Sequence, residues 1–129
     1  MIDRAFGLMN DDPDMGPKLR DADVPQRFEF PDLDLVMNVR AATADEDTNI
    51  VWTWIDDLDF EPKVTMTMSS ETANRYFQGK ENIALAIARR RIKSKGDVRA
   101  SLKLIPITEP VFAQYRAMVE AEYPHLVVR

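Results

Sequence analysis

The densest group of side chains that could do chemistry in this sequence is basic. Residues 89–95 read RRRIKSK, which places five positive charges in seven residues of a chain whose formal net charge is −5. Positive clusters of this kind are typical of surfaces that bind phosphates or nucleic acids. They are also typical of solvated edge strands, where lysine opposes edge-to-edge aggregation.

The alternation within this stretch favours the edge strand. In an extended chain the basic residues Arg91, Lys93 and Lys95 share one face, while Ile92 and Ser94 share the other. Nucleic-acid binding also uses aromatic side chains interleaved with the basic ones, and this stretch contains none. We therefore expect a solvated strand and no nucleic-acid partner.

Side chains that could catalyse a reaction are scarce. The single histidine, His125, follows Pro124 in the tail, with no serine or cysteine beside it in a recognisable arrangement. The four glycines form no phosphate-binding loop, and the paired acids Asp56 and Asp57 lie where a turn is expected. The chain has no cysteine, which excludes disulfides and cysteine metal sites. We expect no catalysis, no metal and no cofactor.

Charge is distributed unevenly along the chain. Residues 1–60 contain 15 acidic and 5 basic residues, whereas residues 61–129 contain 7 acidic and 12 basic residues. We interpret this as acidic loops that precede a basic face rather than as a polyanion-binding half. The N-terminal sequence lacks the pattern of a secretory signal, the C-terminal LVVR is not a peroxisomal address, and no run of 18 apolar residues occurs. A cytoplasmic protein is expected.

The length of 129 residues and the apolar content of 45% predict a single domain over residues 1–129. Residues 1–25 are predicted to form a short helix, with Ile2, Phe6 and Met9 on one side, and then an irregular connection rich in proline and aspartate. Every predicted strand follows this segment.

Alternation of period two predicts the strands. The short stretch RFEF at residues 27–30 is the first. Residues 33–42 place five apolar side chains on one face, namely Leu33, Leu35, Met37, Val39 and Ala41. Residues 50–55 are apolar on both faces, which indicates a central or doubly covered strand. Together with residues 63–68, these segments predict a meander of antiparallel strands.

After residue 68 the period becomes helical. Ser69 is placed to cap a helix that Gly79 ends. A second helix is predicted over residues 81–89, directly before the alternating basic stretch.

Two more helices are predicted near the C-terminus. Asp97 is placed to cap one that Pro106 ends. Thr108 is placed to cap the last, over residues 109–123, which carries an apolar stripe.

Four features follow one another in the block from Lys63 to Leu104. The strand VTMTMS runs into a capped helix, FQGK closes that helix, an alanine-containing helix lies around Ala86, and a basic strand ending in KGD leads into VRASLKL. In order and spacing this set resembles the sterol carrier protein type 2, or non-specific lipid-transfer, family, best over residues 63–105. The family usually has a glycine just before the basic strand, where this sequence has Arg90.

The resemblance implies an α/β fold of the α+β type, with a five-stranded, mainly antiparallel sheet covered on one face by helices. It also implies an apolar tunnel that binds and transfers a lipid without catalysis: a fatty acid, an acyl-coenzyme A, a phospholipid or a sterol. The candidates for the tunnel wall, each with packed core as its alternative, are Met66, Met68, Phe77, Ile83, Ile87, Leu102, Ile105, Phe112, Tyr115 and Val119. Arg90 is the candidate for contacting a charged head group.

The competing hypothesis is a protein-interaction or dimerisation module, such as an accessory subunit of a larger enzyme system, with a packed core and no ligand. Both hypotheses admit a homodimer, and a lipid carrier would also make transient contact with a membrane. An apolar cavity in the range of roughly 300–1,000 Å³ favours the carrier. A large exposed apolar patch favours the module.

Overall fold

A computed structural model of the chain describes residues 2–54 and 60–128. In chain order, its first elements are α1 (Ile2–Asp11), α2 (Met15–Ala22), β1 (Gln26–Phe30), β2 (Leu35–Ala41), β3 (Ile50–Thr53) and β4 (Val64–Thr67). They are followed by α3 (Ser70–Phe77), α4 (Ile83–Ala88), β5 (Lys93–Gly96), α5 (Val98–Leu102), α6 (Ile105–Thr108), α7 (Val111–Glu122) and a 3-10 turn (Pro124–Leu126). Within the described ranges, no helix is both long enough and apolar enough to cross a membrane.

The five strands form one sheet in the order β3-β2-β1-β4-β5. Three of the four neighbouring pairs are antiparallel, and β1 pairs with β4 in parallel. The predicted five-stranded, mainly antiparallel sheet is therefore confirmed. The prediction of a simple meander is wrong, because β4 follows β3 in the chain but lies beside β1, on the other side of the sheet.

The helices cover one face of the sheet, as predicted. Cross-strand register places Phe28 opposite Met37 on β2 and opposite Met66 on β4, so these three side chains share a face. They join the hydrophobic core together with residues of α1, α3 and α7. On the other face, Arg27 lies opposite Thr65 on β4. The core therefore lies between the helices and one side of the sheet.

Helix α1 forms because apolar residues recur at helical spacing, and Ile2, Phe6 and Met9, which the spacing places on one side, are buried. Its C-terminal end is fixed to the start of β3 by Asn10. The Asn10 Oδ1 accepts hydrogen bonds from the backbone N–H groups of Asn49 and Ile50, both at 2.9 Å. The N-terminal helix is thereby attached to the edge of the sheet.

The irregular connection predicted after α1 is wrong in part, because α2 forms within it. Pro17 lies in the first turn of this helix, where its missing N–H would have had no intrahelical partner. Asp12 supplies the N-terminal hydrogen bonds, since its Oδ1 accepts from the backbone N–H groups of Asp14 and Met15 at 2.9 Å. Burial of Met15 and Leu19 then holds the helix against the core.

Two details of the predicted strands are also wrong. Leu33 and Leu35 were expected to face inward but are 46% and 42% exposed, because the chain turns over residues 31–34, with Asp34 in the left-handed region. Strand β3 is an edge strand and not a central one. Its predicted last residue, Ile55, lies outside the described residues, as do the paired acids at positions 56 and 57.

The predicted caps of the central helices are confirmed. The Ser69 side chain accepts a hydrogen bond from the Thr72 N–H at 3.1 Å, and Gly79 follows α3 in the left-handed region with a φ of 75°. The Asp97 Oδ1 accepts from the Ala100 N–H at 3.1 Å at the start of α5. Only the second part of the basic segment forms a strand: β5 covers Lys93–Gly96 and is an edge strand as predicted, whereas Arg91 lies before it and not within it.

The predicted boundaries after α5 are wrong. Pro106 does not end a helix but lies in the first turn of α6, a position that tolerates proline. Thr108 does not cap α7. Its hydroxyl donates back to the Leu104 carbonyl at 3.0 Å, four residues earlier, and so does not accept from an N–H of α7 as a cap would. The region therefore contains two short helices joined by Lys103 and Leu104, whereas the sequence predicts one helix up to Pro106.

Arg90 adopts a backbone conformation that glycine favours, with a φ of 62°. The left-handed region costs a residue with a Cβ roughly 1–2 kcal/mol. Replacing Arg90 by glycine should therefore raise the free energy of unfolding by about 0.5–1 kcal/mol, since glycine's larger entropy loss offsets part of the gain. Urea denaturation of the Arg90→Gly variant measures this difference.

The neighbouring Arg89→Gly variant is the matched control, because Arg89 has an ordinary φ of −91° and the same charge is removed. It should lower the free energy of unfolding by roughly 0.5–1 kcal/mol. An equal decrease in the free energy of unfolding in both variants would contradict the explanation from backbone conformation.

Candidate functional site

A cavity of about 90 Å³ lies between the covered face of the sheet and the helices. Helices α1 and α2, the strands β1, β2 and β4, helix α3 and the segment from α5 to α6 all contribute to its wall. Most of the wall is apolar. The cavity exceeds the roughly 10–15 Å³ that one water molecule needs, but it is smaller than the roughly 300–1,000 Å³ of typical ligand pockets. A long apolar chain can enter only if the wall moves.

Four methionines give the wall its capacity to move. Met9 comes from α1, Met37 from β2, Met66 from β4, and Met68 lies just beyond β4. All four are buried. Methionine has three rotatable bonds and a polarisable sulfur, so it can repack around a guest with little loss of contact.

Five of the ten residues predicted for the wall are on it. These are Met66, Met68, Phe77, Ile83 and Ile105. They come from β4 and the residue after it, the end of α3, the start of α4 and the start of α6. The chain thus gathers residues between positions 66 and 105 around one cavity. Their contact with a ligand stays a prediction.

The structure does not bring the other five to the cavity. They are Ile87, Leu102, Phe112, Tyr115 and Val119. The last three lie on α7, which packs against α1 and α3 behind the cavity. There the Tyr115 hydroxyl donates to the Asn74 Oδ1 at 3.0 Å, and burial raises the pKa of Tyr115 to about 12. These α7 residues therefore pack between helices and do not line the cavity.

Arg90, predicted to contact a head group, also lies away from the cavity. It is exposed in the turn between α4 and β5. Its neighbour Arg91 pairs with Glu81 at 2.5 Å, whereas Arg90 forms no ion pair with any residue in ranges 2–54 and 60–128. A head-group role for Arg90 would require the ligand to extend beyond the wall described above.

Sequence reasoning missed the wall residues that precede the best-matching block. Ile2, Phe6 and Met9 of α1 line the cavity, as do Phe28 and Met37 of the sheet. The resemblance covers only residues 63–105 and therefore could not indicate them. The helical spacing in α1 and the alternation in β2 were signals that could have done so.

One charged residue, Arg40, lies on the described part of the wall. Its guanidinium forms a double contact with Glu46, with Nη1 to Oε1 at 2.6 Å and Nη2 to Oε2 at 3.0 Å. The hydrogen bond from Arg40, followed by that from the Thr43 N–H, lowers the pKa of Glu46 to about 2. Arg40 is therefore committed to a carboxylate within the protein.

Solved structures share this fold at low sequence identity. A double mutant of the sec-alkyl sulfatase PisA1, an enzyme from Pseudomonas sp., aligns with a TM-score of 0.66 and 18% identity over 81% of this chain and 16% of that chain. The ubiquinone synthesis protein UbiJ-SCP2 aligns at 0.61 and 7%, over 84% and 85%. The sterol carrier protein domain 2 of Helicoverpa armigera aligns at 0.53 and 18%, over 83% and 80%.

These likenesses define the class of the fold. The chain folds as a sterol carrier protein 2-like domain, which confirms the resemblance found in the sequence. It spans about one sixth of the alkylsulfatase chain, so in that enzyme the fold is one part of a longer protein. No family model and no curated protein sequence matches the chain.

The pairing of Glu46 with Arg40 predicts a pH-dependent contribution to stability. Because the folded-state pKa of about 2 lies below the ordinary value of 4.5, the contribution is present above pH 4.5 and is lost as the pH falls towards 2. The unfolding free energies of the native chain and the Glu46→Gln variant should therefore differ most near neutral pH and converge over this window. Chemical denaturation at a series of pH values measures the convergence.

The control removes a carboxylate of another ion pair. Glu120 contacts Arg116 at 3.1 Å on α7, away from the cavity. Glu120→Gln separates the general effect of one negative charge from that of the Arg40 contact. A Glu46→Gln effect that does not change with pH would contradict the explanation.

Proposed function

We propose that this chain binds the apolar part of a lipid in the cavity between the sheet and the helices, and that it does so without catalysis. The observation that carries the proposal is the apolar cavity wall, built from α1, the sheet and α3 to α6 around four methionines. The sterol carrier protein 2-like fold of the chain gives independent support.

The physical gain from such binding is large. Hiding an acyl chain from water gains about 0.8 kcal/mol per methylene group, so a sixteen-carbon chain gains on the order of 12 kcal/mol before the costs of binding. The cavity of about 90 Å³ holds only a fraction of such a chain. Part of the gain must therefore be used to widen the cavity.

The segment from α5 to α6 is the part of the wall best suited to move. It contributes Ser101, Leu104 and Ile105 to the wall. Its two helices have 5 and 4 residues, too short to be stable without tertiary packing. Displacing this segment would enlarge the cavity at low cost while the sheet stays intact.

The composition of the wall supports binding over catalysis. No aspartate, glutamate or histidine lies on its described part, and Arg40 is paired with Glu46. His125 is exposed in the C-terminal 3-10 turn. General acid–base catalysis needs a titrating group within hydrogen-bonding reach of the reacting atoms, and the wall offers only the hydroxyl of Tyr76.

A protein-interaction module within a longer enzyme is the second candidate. The observation in its favour is that this chain spans 16% of the alkylsulfatase chain. Against it, the exposed large apolar side chains of the described residues, Leu33, Leu35, Leu85 and Leu126, are spread over three parts of the chain. A few exposed leucines are ordinary on a protein surface. The cavity of about 90 Å³ is below the range stated above for a carrier, so the lipid proposal is supported by the apolar wall and the fold together with the proposed movement of α5 to α6.

Transient contact with an anionic membrane belongs to the same proposal. Six exposed cations between positions 89 and 103 form no ion pair with any described residue, and they are Arg89, Arg90, Lys93, Lys95, Arg99 and Lys103. Each lysine or arginine near an anionic bilayer contributes about 1 kcal/mol to the free energy of membrane binding. They follow one another from the end of α4 through β5 to α5, and the last two, Arg99 and Lys103, belong to the segment that we propose moves.

A substitution at the wall tests the proposal. Ile105→Trp adds bulk to α6 on the cavity side, and it should weaken binding of the neutral apolar dye Nile red by at least about tenfold, a loss of 1.4 kcal/mol. Fluorescence titration gives the affinity. Native mass spectrometry of freshly purified protein, followed by solvent extraction, identifies any lipid that copurifies.

The matched control is Ile107→Trp on the same helix. Ile107 packs against the core but does not lie on the cavity wall, so this variant should keep the affinity of the native chain. If the native chain bound neither the dye nor any lipid, the proposal would be wrong and the interaction module would be favoured. If both variants bound Nile red equally weakly, the dye-binding site would not be the cavity wall at Ile105.

A further inference from the structure

The cavity wall carries few polar side chains, and they are neutral except for one. Tyr76, Thr108, Ser101 and Gln26 are uncharged, and Arg40 is bound to Glu46 through two contacts of 2.6 and 3.0 Å. A ligand placed against this wall therefore meets hydroxyl and amide groups and no uncommitted cation among the described residues.

Tyr76 is held by the aromatic rings around it. Its ring lies edge-on to those of Phe77 and Phe112, with both centroid distances at 5.2 Å. This arrangement fixes the side chain without using its hydroxyl. Burial raises the pKa of Tyr76 above its ordinary value, although the nearby Thr108 side chain opposes the shift. The hydroxyl therefore stays protonated and can both donate and accept a hydrogen bond.

Thr108 lies near enough to the Tyr76 hydroxyl for its side chain to oppose the rise in the Tyr76 pKa, and both side chains line the cavity. Its own proton is used in a 3.0 Å hydrogen bond to the Leu104 carbonyl, which leaves lone pairs of the Thr108 oxygen for another donor. Thr108 is 8% exposed and lies on the cavity wall together with Tyr76. The two residues place two neutral hydroxyl groups on a largely apolar wall.

We propose that the hydroxyls of Tyr76 and Thr108 bind an uncharged polar group of the ligand, a hydroxyl or a carbonyl, and that the cavity selects neutral lipids over carboxylates and phosphates of equal chain length. This inference rests on the proposed function and adds the ligand class to it. Tyr76 can donate to the oxygen of a carbonyl or a hydroxyl. The Thr108 oxygen can accept the proton of a ligand hydroxyl, because its own proton is donated to the Leu104 carbonyl.

The discrimination against anions follows from desolvation. A carboxylate that enters the cavity loses its water and finds no free cation on the wall, which is a heavily unfavourable exchange. A hydroxyl loses far less and recovers a hydrogen bond. The unpaired cations between positions 89 and 103 do not offset this cost, since they lie on the outer surface and not on the wall. They can attract an anionic surface without stabilising an anion inside.

Displacement of Nile red by three ligands of equal chain length tests the inference. These are 1-decanol, decanoate and 1-chlorodecane, which forms no strong hydrogen bond, at about pH 8, where a carboxylic acid is ionised. The native chain should bind decanol at least about tenfold more tightly than decanoate. Tyr76→Phe, which keeps the ring, should weaken decanol binding by about two- to tenfold and leave chlorodecane binding unchanged.

Tyr115→Phe is the matched control, because it removes a buried tyrosine hydroxyl from the same aromatic cluster but away from the cavity. It should lower stability and leave all three affinities unchanged. Equal or tighter binding of decanoate, or an unchanged ratio of decanol to chlorodecane in Tyr76→Phe, would overturn this inference alone. If none of the three ligands displaced the dye, or the dye did not bind, the proposed function would fail with it.

Discussion

The parallel pairing of β1 with β4 is the constraint on which the rest of the structure depends. It joins the N-terminal strands to the second half of the chain through four residue pairs, from Gln26 opposite Val64 to Glu29 opposite Thr67. Hydrogen bonds from the Lys63 N–H to the Pro25 carbonyl at 2.9 Å and from the Met68 N–H to the Glu29 carbonyl at 3.0 Å continue the ladder at both ends. Because strand direction fixes where the chain leaves the sheet, this pairing sends α3 across the same face that α1 covers.

The cavity is a consequence of covering one face with helices from both halves of the chain. Helix α1 is attached to β3 through Asn10, and α7 packs against α1 and α3. These contacts hold the long helices in place behind the cavity. The remaining wall is closed by the short α5 and α6, which have few backbone hydrogen bonds of their own. The elements that hold the wall in place and the short helices that we propose move are therefore different parts of the chain.

The sequence predicted which segments form strands and helices better than it predicted which of these segments pack together. Alternation and capping residues such as Ser69 and Asp97 are local signals, and they identified the strands and the central helices correctly. Helix α2 was missed because Pro17 and the surrounding aspartates are typical of loops, whereas burial of Met15 and Leu19 is a tertiary effect. The parallel β1–β4 pair has no local signature at all. For the same reason, apolar spacing in α7 could not separate residues that pack behind the cavity from residues that line it.

The central claim, that an apolar ligand enters this cavity, can be tested most directly with isotope-labelled methionine methyl groups. Met9, Met37, Met66 and Met68 lie on the cavity wall, whereas the buried Met15 and Met118 do not. NMR titration with 1-decanol should shift the methyl signals of the first four and leave those of Met15 and Met118 nearly unchanged. Saturable shifts confined to Met15 or Met118, or the absence of any shift at concentrations that displace an apolar dye, would contradict the account.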